Sequence, residues 1–393
     1  MSGPLYVASR YLVHHRGKTI ILVLAVALTG FVPVGLQVLV AQSARELTAR
    51  ADRTPLLVGS RGSPLELVLS ALYFDTDPPV PIPWSEIERI DDTGLAQAVP
   101  LQVGFRAGGH PIVGTTLEYL DYRRLRVATG RRMAWLGECV LGARAARELG
   151  LEPGDDLVSS PETVFDLAGV YPLKMRVVGV LAPSHTADDR AVFVDIKTAW
   201  VMAGLGHGHR DLGDPDASAA VLSRAGDRIV ANAAVLEYNQ ITRENIESFH
   251  FHAGRSSLPV SAALALPTDE RARVLLMGRY EAPDERVQIL RPRSVMDELL
   301  DTVVTVQSYV VAGIALVAAA TGATIVLVFM LSIRLRRREI ETMTKIGGSR
   351  GSVAAVLISE VVVVVAVGLV IAAGLTLVTS RFGSAAIRAF LLS

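Results

Sequence analysis

Arg334-Leu335-Arg336-Arg337-Arg338-Glu339-Ile340-Glu341 runs on through Lys345-Ile346-Gly347-Gly348-Ser349-Arg350, and it lies between two long apolar runs. The run before it, residues 310–333, is long enough at ~1.5 Å per residue to cross a bilayer. The run after it, residues 353–379, is longer still. A short loop this rich in arginine and lysine belongs on the cytoplasmic side of a membrane, where positive charge collects. Within it Ile340, Met343 and Ile346 form an apolar stripe, and Arg337, Glu341 and Lys345 recur at i, i+4 on another face. Gly347-Gly348 then stops the helix and turns the chain into the next run. The pattern predicts a short amphipathic helix that docks in a groove on a cytosolic partner. The competing reading is attraction of the arginines to anionic lipid, worth ~1 kcal/mol each near the surface.

A third apolar run occupies residues 19–41, preceded by Arg10, Arg16 and Lys18. Its apolar core exceeds the ~7–15 residues of a signal peptide, and Gln42-Ser43-Ala44 makes a poor cleavage site. A retained span with its start in the cytoplasm is expected. Residues 5–13, with Tyr6, Arg10 and Tyr11, suit a short helix at the interface. The expected organisation is a cytoplasmic or interfacial segment 1–18, a first span 19–42, an extracytoplasmic domain 43–302, a second span 303–333, a cytoplasmic coupling segment 334–352, a third span 353–380 and an extracytoplasmic tail 381–393. Composition agrees, with 50% hydrophobic residues and a mean hydropathy of +0.39. A formal net charge of zero gives no reason to expect nucleic acid as a partner.

The second span is rich in small residues. Ala315/Ala319 and Ala318/Gly322 have the spacing that lets helix backbones approach closely in lipid, as do Gly368/Ala372 in the third. Such faces pack either on a second copy of the chain or among the three spans of one copy. Glu360 is the one acid within these runs, close enough to the start of the third span to reach the cytoplasmic interface.

Residues 43–302 read as an α+β domain, with two lobes as one option. Strand signals fall at 97–105, 175–181, 191–195, 229–236, 260–266 and 287–290, and helix signals at 64–73, 143–149, 270–279 and 293–300. No HExxH helix, GxxxxGK[ST] loop or GxSxG elbow between a strand and a helix is present (the GxSxG match at residues 347–351 lies in the basic segment between two apolar runs), so no catalytic residues are assigned and no ATP site is expected in this chain. The single Cys139 excludes an intrachain disulfide and cysteine-cluster metal sites. Six histidines lie in this domain, and His207-Gly208-His209 and His250-Phe251-His252 are each spaced i, i+2. In a strand that spacing turns both imidazoles to one face, so His207, His209, His250 and His252 are candidate metal ligands. The competing reading is ordinary polar-face histidine. Asp188 and Asp189, near His185, are weaker candidates to add oxygen ligands.

Taken together, Arg338-Glu339-Ile340-Glu341, Lys345-Ile346-Gly347-Gly348-Ser349 and Glu360 resemble the coupling-helix region of MacB/LolC/FtsX-type permeases, the type VII ABC transporters. Tyr11 to Lys18 before the first span, Cys139-Val140-Leu141-Gly142 leading to Leu149-Gly150-Leu151-Glu152-Pro153-Gly154-Asp155, and Val177-Val178-Gly179-Val180 are similar to further stretches of that family. The resemblance implies a helical membrane part plus an extracytoplasmic domain of MacB periplasmic-core type, in the bacterial inner (cytoplasmic) membrane with the large domain periplasmic. It implies mechanotransmission: a separate cytosolic ABC ATPase, holding ATP and magnesium, moves the coupling helix and so the external domain. A second permease copy or paralogue, membrane lipid, and a periplasmic adaptor or binding protein complete the implied partners. The coupling residues would be Arg334, Arg337, Arg338, Glu339, Ile340, Met343, Lys345, Gly347, Gly348, Ser349 and Glu360. The implied outcome is export or release of an envelope substrate, or regulation of an envelope hydrolase. Residues 58–65 and 248–252 resemble a subgroup linked to metal systems, so zinc-linked transport is an alternative. The family has four spans and three are expected here, which leaves either a longer sequence or a short variant. A membrane sensor is a separate class, but residues 334–352 are too few for an output domain.

Overall fold

The computed structural model describes residues 3–159, 172–208, 221–225, 228–231, 239–282, 285–345 and 349–391. These divide into two compact units, residues 49–297 and the two flanking stretches 1–48 and 298–393.

The flanking unit is helical. Three helical stretches are long and apolar enough to cross a membrane, Arg16–Gln42, Ser308–Leu335 and Gly351–Gly383. The expected interfacial segment is a separate helix, Gly3–His14, whose Ala8 and Leu12 are buried. The Thr19 hydroxyl donates to the Leu12 carbonyl at 2.9 Å, helping the chain turn into the first span. Leu12, Leu22, Phe329 and Val364 form a shared core from all three spans and the leading helix. Gly368 is required by close approach: a Cβ there would stand 2.7 Å from Val26 Cβ and 3.2 Å from the Val23 carbonyl oxygen. Ala372, one turn on, lies 3.4 Å from where a Cβ would stand at Gly30. The small pair of the third span therefore seats against the first. The last helix runs from Arg350 to Leu391, through most of the expected 381–393 tail, because nothing after Gly383 breaks a helix.

Residues 49–297 form an α+β unit on one continuous mixed sheet. One half runs, neighbour to neighbour, Val287–Leu290, Leu56–Ser60, Ala262–Pro267 and Ala96–Ala107, all antiparallel. The other half adds His110–Thr115, then Val192–Asp195, Glu138–Leu141, Lys174–Leu181 and Val127–Gly130. Two of its pairings are parallel, His110–Thr115 with Val192–Asp195 and Glu138–Leu141 with Lys174–Leu181. Two apolar cores lie along this sheet. One is built around Trp84, Ile90, Trp200 and Val260, and the other around Ile112, Leu141, Met175 and Val192. The two-lobe option thus resolves into two cores on one sheet.

Most strand expectations are met within a residue or two. The expected 260–266 strand is broken at Ser261, whose hydroxyl accepts from Val103 N–H at 3.1 Å and donates to the Val103 carbonyl at 3.0 Å. This leaves Pro259–Val260 in a separate two-stranded ribbon. The expected 229–236 strand is Arg228–Ala231, and residues 232–238 lie outside the described residues. Cys139 is fully buried in its strand, and burial pushes its thiol up to about 12. Gly142, just beyond, admits no side chain: a Cβ would stand 2.2 Å from the Asp188 carbonyl oxygen.

Candidate functional site

In the helical unit the basic segment forms its own helix, Arg337–Lys345, after the second span's helix ends at Leu335. Arg334, Arg337, Arg338, Glu341 and Lys345 are exposed, while Ile340 and Met343 are half-buried on the other face. Arg337 Nε lies 3.5 Å from Glu341 Oε1, the expected i, i+4 pair. Gly347 and Gly348 lie outside the described residues, as does the side chain of Glu339. Ser349 acts as an N-cap: its Oγ accepts from the Ser352 N–H at 3.1 Å at the head of the third span's helix.

Arg336 is the residue that sequence reasoning passed over. It is buried, and its Nη1 donates to both oxygens of Glu360 at 2.9 and 3.1 Å. Its guanidinium carbon also sits 3.5 Å from the Tyr11 ring centroid, a stacked cation–π contact. Glu360 is 3% exposed, so it faces this pair rather than a docking surface. One nitrogen is shared between the two carboxylate oxygens, a charge-assisted contact in a buried site. It ties the start of the amphipathic helix to the third span and to the leading helix.

The small residues of the second span stand differently from Gly368 and Ala372. Ala315, Ala319 and Gly322 are exposed within the chain and Ala318 is half-buried. Among the described residues nothing lies within 4 Å of a Cβ placed at Gly322.

In the sheet-bearing unit the structure joins the two histidine motifs. Gly206–Gly208 pairs antiparallel with Phe249–Phe251, with His207 directly opposite His250. Directly opposed residues project to the same face of a sheet. On the other face the phenylalanines pack inward, Phe251 on the core around Trp84 and Trp200, and Phe249 on the core around Ile112. Each ring covers a glycine: a Cβ on Gly206 would stand 2.6 Å from the Phe251 ring, and one on Gly208 2.6 Å from the Phe249 ring. Gly-His-Gly against Phe-His-Phe is thus a complementary pattern, rings in and imidazoles out. His252, one residue past its strand, brings its Nε2 to 3.0 Å from His207 Nε2. One ligand nitrogen from each of His207, His250 and His252 falls within 4.8 Å of the others. His209 lies outside the described residues.

The aspartates near His185 are taken up elsewhere. Asp188 is 2% exposed and bound by Arg50, Nη1 to Oδ2 at 2.6 Å and Nη2 to Oδ1 at 2.8 Å. The Tyr119 hydroxyl donates to Asp188 Oδ1 at 2.8 Å, and the Thr186 hydroxyl to Oδ2 at 2.9 Å. Burial alone would raise the Asp188 pKa, but Arg50 outweighs it and holds the carboxyl below the ordinary aspartate value. Asp189 accepts from the Ser184 and His185 backbone N–H groups at 2.8 Å each. Neither carboxylate joins the histidines, and Asp188 belongs to a buried structural network.

The model of the MacB-like periplasmic core domain matches residues 19–239, more than half of the chain. The chain belongs to the MacB-like periplasmic core domain family. It is a permease of the MacB/FtsX-type ABC transporters, a membrane protein with a periplasmic-type domain and apolar candidate spans. The periplasmic region of MacB from Actinobacillus actinomycetemcomitans is similar at 10% identity and a TM-score of 0.36, covering 66% of this chain and 98% of that one. The extracellular domain of the noncanonic ABC-type transporter YknZ from Gram-positive bacteria is similar at 12% identity and a TM-score of 0.33, covering 60% and 98%. Comparison with curated proteins returned no match.

Proposed function

We propose that this MacB-like permease is the mechanotransmitting subunit of an ABC transporter. Its N-terminus and the helix Arg337–Lys345 are cytoplasmic, and residues 43–302 are outside. The helix docks on a separate cytosolic ATPase that holds ATP and magnesium, and nucleotide-driven closure of that motor moves it. The outcome is export or release of an envelope substrate.

The observation that carries this reading is the pairing of Arg336 with Glu360 at the root of an amphipathic helix. A helix tethered only by a flexible loop would swing without moving the spans. One pinned by a buried ion pair to the third span displaces that span with it. The exposed small residues of the second span support a second permease copy against that face.

Replacing both Ile340 and Met343 by Asp tests the docking. The expected result is loss of ATPase co-purification and of ATPase stimulation, with membrane insertion unchanged. Retention of the ATPase by that variant, together with its loss from vesicle-bound Arg337→Gln/Arg338→Gln protein only in anionic lipid, would favour the lipid reading and overturn this one.

A further inference from the structure

We propose that His207, His250 and His252 form a three-imidazole site for a borderline divalent transition-metal ion of the zinc class, with its fourth position open to water or an anionic donor.

Three observations converge. The ribbon fixes where the rings start: His207 and His250 are register partners, and the Gly–Phe pairs on either side leave them no freedom to exchange faces. The rings then cluster, with centroids 5.2 Å apart for His207–His250, 4.7 Å for His207–His252 and 4.9 Å for His250–His252. Finally, His250 Nδ1 lies 3.1 Å from the Ser248 carbonyl oxygen. A carbonyl only accepts, so Nδ1 carries the proton and the neutral ring keeps its lone pair on Nε2. Holding a ligand's tautomer through the second ring nitrogen is the usual supporting contact of histidine metal sites.

The distances fit that chemistry. Zinc–nitrogen bonds of about 2.0–2.1 Å in a tetrahedron separate ligand nitrogens by ~3.3 Å. His207 and His252 already stand at 3.0 Å, and the set, within 4.8 Å, needs side-chain adjustments of at most ~1.5 Å to reach that spacing. A single N–H···N bond between two neutral rings accounts for the His207–His252 distance alone. The ribbon register adds the third imidazole beside them, and Ser248 sets its tautomer. Imidazole nitrogens suit zinc, copper and nickel rather than magnesium or calcium. With three neutral ligands the bound ion keeps its full positive charge, so a hydroxide or carboxylate is the favoured fourth donor.

The test is isothermal titration of the full-length, tag-free, chelator-stripped protein in detergent with zinc chloride. Occupancy by cobalt(II), read as the visible bands of a tetrahedral ion, provides a second readout. One ion per chain is expected, weakened at least ~100-fold by His207→Ala or His252→Ala and unchanged by His185→Ala. Should His207→Ala disturb the ribbon, His252→Gln, beyond the strand, makes the same test. Equal zinc uptake by wild type and the His207→Ala/His250→Ala/His252→Ala variant overturns the site, as does absence of uptake by wild type.

Discussion

Arg336 grips both carboxylate oxygens of Glu360 through one nitrogen while its guanidinium carbon sits 3.5 Å from the Tyr11 ring centroid. A pair this buried resists loss of either partner more than loss of both, because a lone charge then lacks compensation. Arg336→Met is therefore expected to destabilise the helical unit by ~3–5 kcal/mol, read as a lower unfolding temperature in detergent. Arg336→Met/Glu360→Met should recover much of that stability but not ATPase stimulation. If the double variant stimulates the ATPase like wild type, the pair is structural only.

The Arg50–Asp188 network gives a pH dependence with a definite sign. The folded pKa of Asp188 lies below its unfolded value of ~3.9, so its stabilisation is present above that pH and disappears as pH falls through the folded value. Asp188→Asn should cost ~3–5 kcal/mol at neutral pH by stranding Arg50. It should also flatten the acid limb of stability against pH, measured by urea unfolding followed at Trp fluorescence.

Two glycines in the spans are predicted to behave oppositely. Gly368→Leu forces a side chain into Val26 and the Val23 carbonyl, so it should cost ~1–3 kcal/mol of stability in the isolated chain. A Cβ at Gly322 meets no described residue within 4 Å, so Gly322→Leu should leave that stability unchanged. It should instead reduce disulfide or chemical crosslinking between copies, if a second permease seats there.

Within the histidine ribbon, Gly208→Ala pushes a methyl group into the Phe249 ring. The expected result is at least ~10-fold weaker zinc binding through displacement of the strand, with restoration when Phe249→Leu is added. Zinc titration of the two variants distinguishes a built ribbon from an adaptable loop.

Some of this architecture was legible in the residues. The strand Lys174–Leu181 alternates fully buried positions with half-buried or exposed ones along its length, the period-2 signal that marks a half-buried strand. Strands such as Glu138–Leu141, buried at every position, carry no such alternation and are not among the expected strands. The i, i+2 histidines announced a possible ligand set, yet only the fold pairs His207 with His250. Arg50 and Asp188 are 138 positions apart; Asp188 reads as a weak candidate metal ligand and Arg50 as nothing in particular until the fold pairs them. Arg336 was hidden in plain view, one arginine among several, because burial is not written in composition.

Cys139 is the chain's sole sulfhydryl and lies wholly inside the sheet, where the thiolate is held off by burial. The wild-type protein is therefore already a silent background for maleimide chemistry. A single engineered cysteine at Lys345 or Ser256 can report sidedness in whole cells with the native residue left in place.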